Sequence, residues 1–291
     1  MKKVLLILLA AMLAIPALAG AETYYIQDES GLPADWAERE TLRLTFVDTD
    51  RSDAIILQCG GEAMMVDGGF NTHYKRVFAT LDAYGITTLR YLLSTHCDGD
   101  HSGGLTSIIN SDLYAPGVLL CPNAEGYDDP DDHHEKMVRA AKRHNVPYQQ
   151  VSDGYVFTLG AEAQATITII RCEEKWGQNA RSAACRVDFN GGRILLLADV
   201  SNRVMNHWMD TRDTAIFDAD VVKAPHHGID GMPADFLEVI SPAIILCTNE
   251  VGSDHNKALE DAGALYSGDG TVIIETDGTD WYVWQHANWG D

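Results

Sequence analysis

Ser94-Thr95-His96-Cys97-Asp98-Gly99-Asp100-His101-Ser102-Gly103-Gly104 places four potential metal ligands within six positions. The stretch follows an apolar run, Leu89–Ser94, that reads as a buried strand, and it precedes a helix beginning over Leu105–Asn110. Alternate residues of an extended loop face the same way, so His96 and Asp98 share one side. Asp100 and His101 then turn toward a second point as the helix starts. Imidazole together with carboxylate suits zinc, manganese or iron. Gly103 and Gly104 are expected to let backbone approach the site closely.

Outward from that loop, short apolar runs alternate with helical periods. Leu42–Val47, Asp53–Cys59 and Ala63–Val66 read as strands, the last two joined by a Gly60-Gly61 turn. Thr72–Tyr84 has helical spacing, and Gly85 stands where such a helix ends. Val118–Cys121 is a further strand, and a helix is expected near His134–His144. The intervening Asp128-Asp129-Pro130-Asp131-Asp132-His133-His134 reads either as a cation-binding loop or as a solvated acidic turn at a helix N-terminus, where negative charge is favourable. In the second half, Thr166–Arg171, Ala183–Phe189, Ile194–Leu197, Ala219–Lys223, Ala243–Cys247 and Thr271–Glu275 are strands. Short helices cover Pro233–Val239 and Lys257–Gly263. Two half-chains that each mix strands and helices predict two sheets packed face to face with helices outside. The polar motifs fall at strand ends, where loops converge on one edge.

Asp199 ends one apolar run, and on the residues alone it reads as a capping residue at a strand-to-helix turn. His226-His227 is harder to explain as packing, because two adjacent imidazoles are costly to bury together.

The chain has 291 residues and a formal net charge of −22. Met1-Lys2-Lys3, the apolar run Val4–Ala19 and the small-residue pattern Ala17-Leu18-Ala19 have the layout of a secretory signal peptide. The run is shorter than the roughly 20 apolar residues of a bilayer span, and no Cys follows it to carry a lipid. The expectation is a signal peptide over 1–19, an N-terminal extension over 20–40 and one domain over 41–291, secreted or otherwise extracytoplasmic, with no stable membrane insertion. So acidic a surface offers no basic nucleic-acid-binding face, and a polyanion would have to be engaged at the metal site itself. The six cysteines lack C-x-x-C spacing and mostly lie in apolar runs, so buried thiols are expected; Cys172 and Cys185 are the first pair to test for a disulfide. The pattern sets no oligomeric state.

The loop around His96 resembles the H-x-[HD]-x-D-H signature of the metallo-β-lactamase superfamily. With Asp98 in the second ligand place and Gly-Gly following, it is similar to the extracytoplasmic hydrolase domain of ComEC-type DNA-uptake proteins. Phe46-Val47-Asp48, Asp53-Ala54-Ile55-Ile56, Val66-Asp67-Gly68-Gly69, Leu195–Asp199 and Lys223-Ala224-Pro225-His226-His227-Gly228 resemble further motifs of that group, over residues 42–285. The resemblance implies an α/β fold, a four-layer αββα sandwich, and two divalent metal ions, zinc or manganese. It places His96 and Asp98 on the first ion, Asp100, His101 and His227 on the second, and Asp199 between them. Asp100 and Asp199 would then be central to catalysis, and His226 would face the substrate as a hydrogen-bond donor or acid. Asp67 would hold the His loop in place. Where many members carry a His, this chain reads Gln178-Asn179-Ala180-Arg181-Ser182, similar to the N-x-x-S of the ComEC-type group. Asn179 and Ser182 are therefore expected behind the first ion or against the substrate. His255 resembles a late pocket His, or is a surface-loop residue. Asp48-Thr49-Asp50-Arg51-Ser52 replaces a Gly-rich opening loop and brings charge to the substrate mouth.

The implied reaction is phosphodiester hydrolysis by a hydroxide held on the metal, since such an ion lowers the pKa of bound water from about 15.7 to near neutrality. The substrate would be nucleic acid, a cell-wall phosphodiester such as phosphocholine on teichoic acid, or another small hydrolysable molecule. The alternatives are C–O or C–N hydrolysis, as in lactonases and β-lactamases, and a non-catalytic exported binding protein with the same fold. Three carboxylates among the implied ligands (Asp98, Asp100, Asp199) favour harder ions such as manganese relative to zinc.

Overall fold

Successive side chains of the central strands enter different cores. In Ala54–Cys59 and Glu62–Gly68, residues Ile55, Leu57, Met64 and Val66 face one way, while Ile56, Ala63 and Met65 face the other. A strand sends alternate residues to opposite faces, so a strand apolar on both must be covered on both. The computed structural model describes residues 21–125, 129, 131–251, 256–287 and 289. The expected signal peptide, His255, and Asp128 and Pro130 of the acidic loop lie outside them.

A nine-stranded sheet runs in the order Thr23–Tyr25, Trp281–His286, Thr271–Thr276, Leu42–Phe46, Ala54–Cys59, Glu62–Gly68, Thr88–Leu93, Ala115–Pro122, Tyr148–Val151. A seven-stranded sheet runs Leu265–Tyr266, Ile244–Cys247, Val221–Lys223, Gly192–Leu196, Ala184–Phe189, Ala165–Ile170, Val156–Leu159. Three apolar clusters join these into four layers. Leu44, Phe46, Leu57 and Leu93 meet Ile167, Val187, Ile194 and Leu246 between the sheets. Helices Tyr74–Ala83, Gly99–Asn110 and His133–Arg143 bury Leu81, Leu105, Ile108 and Met137 on the outer face of the first sheet. Helices Asn202–Thr211, Ala234–Ile240 and Lys257–Asp261 bury Val204, Trp208, Phe236 and Leu259 on that of the second. This is the expected αββα sandwich.

Several regions differ from the sequence reading, among them the strand Trp281–His286 and the helix Asn202–Thr211, neither of which the reading marked. The helix after the His motif begins at Gly99 rather than near Leu105, so Asp100 and His101 occupy its first turn. Short strands at Thr23–Tyr25, Tyr148–Val151, Val156–Leu159 and Leu265–Tyr266 went unrecognised. Each has two to four residues at or near a sheet edge, where half-burial erases the long apolar pattern. Part of the first sheet's outer face is covered not by an α-helix but by the segment before Leu42, which includes the 3-10 turn Trp36–Glu38. There Trp36 packs with Ile273, Tyr282 and Trp284, and its Nε1 donates to Glu275 Oε1 at 2.9 Å.

All six cysteines are buried and unbonded, so Cys172 and Cys185 are not joined. Among the described residues no helix is long and apolar enough to cross a membrane.

Candidate metal centre

The site lies where strands of both sheets end. Glu62–Gly68 and Thr88–Leu93 run parallel, as do Gly192–Leu196, Val221–Lys223 and Ile244–Cys247. Their carboxyl ends carry Asp67, the His96 loop, Asp199, His226-His227 and Thr248. Ligand sites in α/β sheets form at such ends because the loops there converge while the strands stay fixed.

Asp199 is the meeting point. Its Oδ1 lies 3.3 Å from His101 Nε2, and its Oδ2 lies 3.8 Å from both His96 Nε2 and His227 Nε2. Asp98 Oδ2 is 3.4 Å from His96 Nε2, and Asp100 Oδ2 is 3.3 Å from His227 Nε2. All six residues expected to hold metal are thus drawn together from three separate stretches of chain. The helix starting at Asn202 is preceded by Ser201 at its cap position, so Asp199 does not cap it.

The far side of each ring is already engaged. Thr95 Oγ1 donates to Asp67 Oδ2 at 2.6 Å, so at 3.0 Å from His96 Nδ1 it accepts that nitrogen's proton. His101 Nδ1 donates to Asp67 Oδ2 at 2.8 Å, and His227 Nδ1 to Asp53 Oδ1 at 3.1 Å. A carboxylate only accepts, so each Nδ1 carries a hydrogen, and in the neutral ring each Nε2 presents a lone pair to the cluster. The Nε2 atoms of His96, His101 and His227, and Oδ1 of Asp199, are buried with no hydrogen-bond partner. Buried polar atoms left in that state are costly unless something binds them. Three imidazole lone pairs and three carboxylates fit divalent ions.

The backbone is bent to make this possible. Asp67, Ala198, His226 and His227 have φ of 56°, 47°, 47° and 58°, a left-handed region that non-glycine residues seldom occupy. Such strain persists where surrounding contacts hold it. His226 N donates to Ala198 O at 2.9 Å, tying the two strained turns together.

Electrostatics follow from the crowding. Burial pushes the Asp100 carboxyl up, but the His227 ring 3.3 Å away and the charge of His101 outweigh it and bring it down to about 2. Burial likewise opposes ionisation of Asp199, yet His101 and His227 hold it well below the usual carboxylate range. Burial lowers His101, and the Asp199 and Asp67 carboxylates more than reverse that. His227 is raised in the same way, by Asp199 and Asp53. Without metal, the cluster's negative charge is answered by protons.

Some expected residues sit elsewhere than at the ligand atoms. Ser182 is buried, and its hydroxyl donates to Asn179 O at 2.8 Å within the turn Asn179–Arg181. Gln178, next to them and unremarked in the sequence, donates its side-chain amide to Asp98 Oδ1. His226 is one-third exposed, with Nδ1 2.6 Å from Asp230 Oδ2 and Nε2 3.9 Å from Asp199 Oδ2. The charges of the opening loop are partly neutralised, since Arg76 reaches Asp48 and Asp50 at 3.2 and 3.0 Å. Asp129 feeds the following helix, accepting from the backbone of His133 and His134.

Asp53, Lys223 and Thr248 were also missed. A signal existed: Asp53 opens and Lys223 closes an apolar strand-like run, and a charge buried there requires a partner. They are each other's partners.

The model of the metallo-beta-lactamase superfamily matches residues 47–248. The chain belongs to that superfamily. It is a metal-dependent hydrolase by that membership, with a candidate metal-binding group at the site just described. Over 201 residues the chain is 25% identical to ComE operon protein 3 of Bacillus subtilis, covering 66% of this chain and 24% of that protein. It therefore spans about a quarter of that superfamily relative's length. Among solved structures it is similar to CmlA, a diiron beta-hydroxylase from Streptomyces venezuelae, at 13% identity and TM-score 0.50, covering 78% of this chain and 52% of that one. A metallo hydrolase from Ignicoccus hospitalis is similar at 13% identity and TM-score 0.47, covering 80% and 98% of the respective chains. At such identities the likeness to structures shows the fold alone.

Proposed function

We propose that this chain is an extracytoplasmic phosphodiesterase working with two divalent ions, zinc or manganese. The observation that supports it most is the position of Asp199. One oxygen faces His101 and the other faces His96 and His227, with Asp98 and Asp100 beyond. A carboxylate so placed can be shared by two ions, His96 and Asp98 holding one and Asp100, His101 and His227 the other. Bound there, the ions supply Lewis acidity to a phosphoryl oxygen and lower the pKa of an attacking water. The side chains do the rest. Thr95, Asp67 and Asp53 keep the rings oriented, and Asp230 turns His226 so that its Nε2 faces the cluster from the open side. There it can pass a proton to a leaving oxygen.

The phosphodiester is supported by the ComEC-type motif pattern and by the similarity to ComE operon protein 3. A net charge of −22 argues against long nucleic acid, which leaves a small phosphodiester, or a cell-wall one such as phosphocholine on teichoic acid engaged at the metal site itself. Export is supported by Lys2-Lys3 and the apolar run to Ala19, with the hydrolase domain over 41–291.

The test is turnover of bis-p-nitrophenyl phosphate with manganese and with zinc, beside chelator-treated protein and Asp199→Ala. Activity lost in both controls is expected. Hydrolysis of a lactone or nitrocefin with none of the phosphodiester would move the assignment to C–O or C–N bonds. A metal-loaded but inert protein would make it a binding protein.

A further inference from the structure

A second charged group lies directly behind the ligand rings, buried and shared by both halves of the chain. Asp53, 1% exposed, precedes the strand Ala54–Cys59 of the first sheet; Lys223, fully buried, ends the strand Val221–Lys223 of the second. Lys223 Nζ donates to Asp53 Oδ2 and, at 3.1 Å, to Ala198 O. Asp53 Oδ1 accepts from Thr248 Oγ1 and from His227 Nδ1, and its Oδ2 is 3.7 Å from His101 Nδ1.

Asp53, His101, Asp199 and His227 offer atoms within 4.8 Å of one another, which makes Asp53 a candidate ligand. The ring geometry argues otherwise. Asp53 meets the Nδ1 atoms, whereas the unpartnered Nε2 atoms face Asp199 and Asp100. Both its oxygens are already accepting. Stability does not account for the pair either, because a buried ion pair is often no better than apolar residues of the same size.

We propose that Asp53 and Lys223 are positioning residues for the metal centre. Asp53 sets the proton on His227 Nδ1 and the angle of that ring, and Lys223 supplies the counter-charge that lets a carboxylate sit there. The His227 turn is thereby registered against the first sheet, so the two half-sites assemble only when the sheets pack. This rests on the reading that the cluster binds divalent ions.

The test compares Asp53→Ala combined with Lys223→Met, which removes both charges without adding volume, with the wild-type chain. Thermal unfolding without metal reads the structural role; chelator competition with zinc and with manganese reads the positioning role. The double variant is expected to unfold near the wild-type temperature yet bind either ion about 10–100-fold more weakly, the loss typical when a ligand His is deprived of its outer partner. Wild-type affinity at wild-type stability would overturn the proposal. Should that variant not fold, Asp53→Val with Lys223→Met, which likewise offers His227 Nδ1 no acceptor, decides the question by the same two readings. A wild-type chain that takes up neither ion would sink the metal reading itself, and this one with it.

Discussion

The Asp67 carboxylate stands behind His101, 2.8 Å from its Nδ1, on a residue held at φ 56°. The same carboxylate also accepts from the backbone and hydroxyl of Thr95, which in turn orients His96. One side chain therefore sets two ligand rings, one for each proposed ion. Asp67→Ala should weaken metal retention by roughly 10–100-fold, the usual cost of losing such an outer partner. Competition with a chelator measures this. Retention equal to wild type would show that the rings hold their orientation without Asp67.

Asp67 is delivered to that place by two glycines, Gly68 and Gly104, whose backbones meet. Gly104 N donates to Gly69 O at 2.8 Å, and a Cβ on Gly104 would lie 1.8 Å from Gly68 O. The clash is with backbone, so helix Gly99–Asn110 would have to move off strand Glu62–Gly68, carrying His101 away from Asp67. Gly104→Ala should cost about 3 kcal/mol, at the upper end for overpacking, and lower Tm by roughly 6–12 °C for a chain of this size. Calorimetry reads the first effect and metal titration the second. A variant as stable as wild type would mean that the helix can step off the strand at no cost.

That pair of glycines also marks how far the sequence carries. The density of His96, Asp98, Asp100 and His101 was legible because ligands crowd into one loop, and the continuous apolar runs were legible because both sheets are buried on both faces. Gly103 and Gly104 were read as opening the site to backbone, whereas they seat the helix on the strand. Asp53 and Gln178 were invisible as site residues, because each acts across at least 80 positions of chain through a partner rather than through a local pattern. Pairing information of that kind exists only once the sheets are packed.

The cysteines give a chemical test of that packing. Burial pushes Cys59 up to about 11 and Cys97, Cys121, Cys185 and Cys247 to about 12, and it raises Cys172 as well. Only the thiolate attacks, so at pH 8 roughly one molecule in a thousand at a pKa of 11, or in ten thousand at 12, is reactive. Raised values mean reactivity grows with pH but stays low until the solution approaches those values. Ellman's reagent at pH 8 should leave the native protein unlabelled over minutes and count six thiols after denaturation. Four after denaturation would reveal a disulfide and contradict the packing around Cys172 and Cys185.

His226 separates metal binding from proton transfer. Its ring is one-third exposed and its nearest cluster atom is Asp199 Oδ2 at 3.9 Å, while Asp230 holds Nδ1. His226→Asn is the suitable change, since Asn tolerates the left-handed backbone at φ 47° better than most residues. Both ions should be retained by mass spectrometry. If His226 hands a proton to the leaving oxygen, kcat on an alkyl phosphodiester should fall roughly 10²–10⁴-fold. The loss should be much smaller on a p-nitrophenyl ester, whose leaving group needs no proton. Equal losses on both substrates would remove His226 from the role of acid, and loss of an ion would make it a ligand instead.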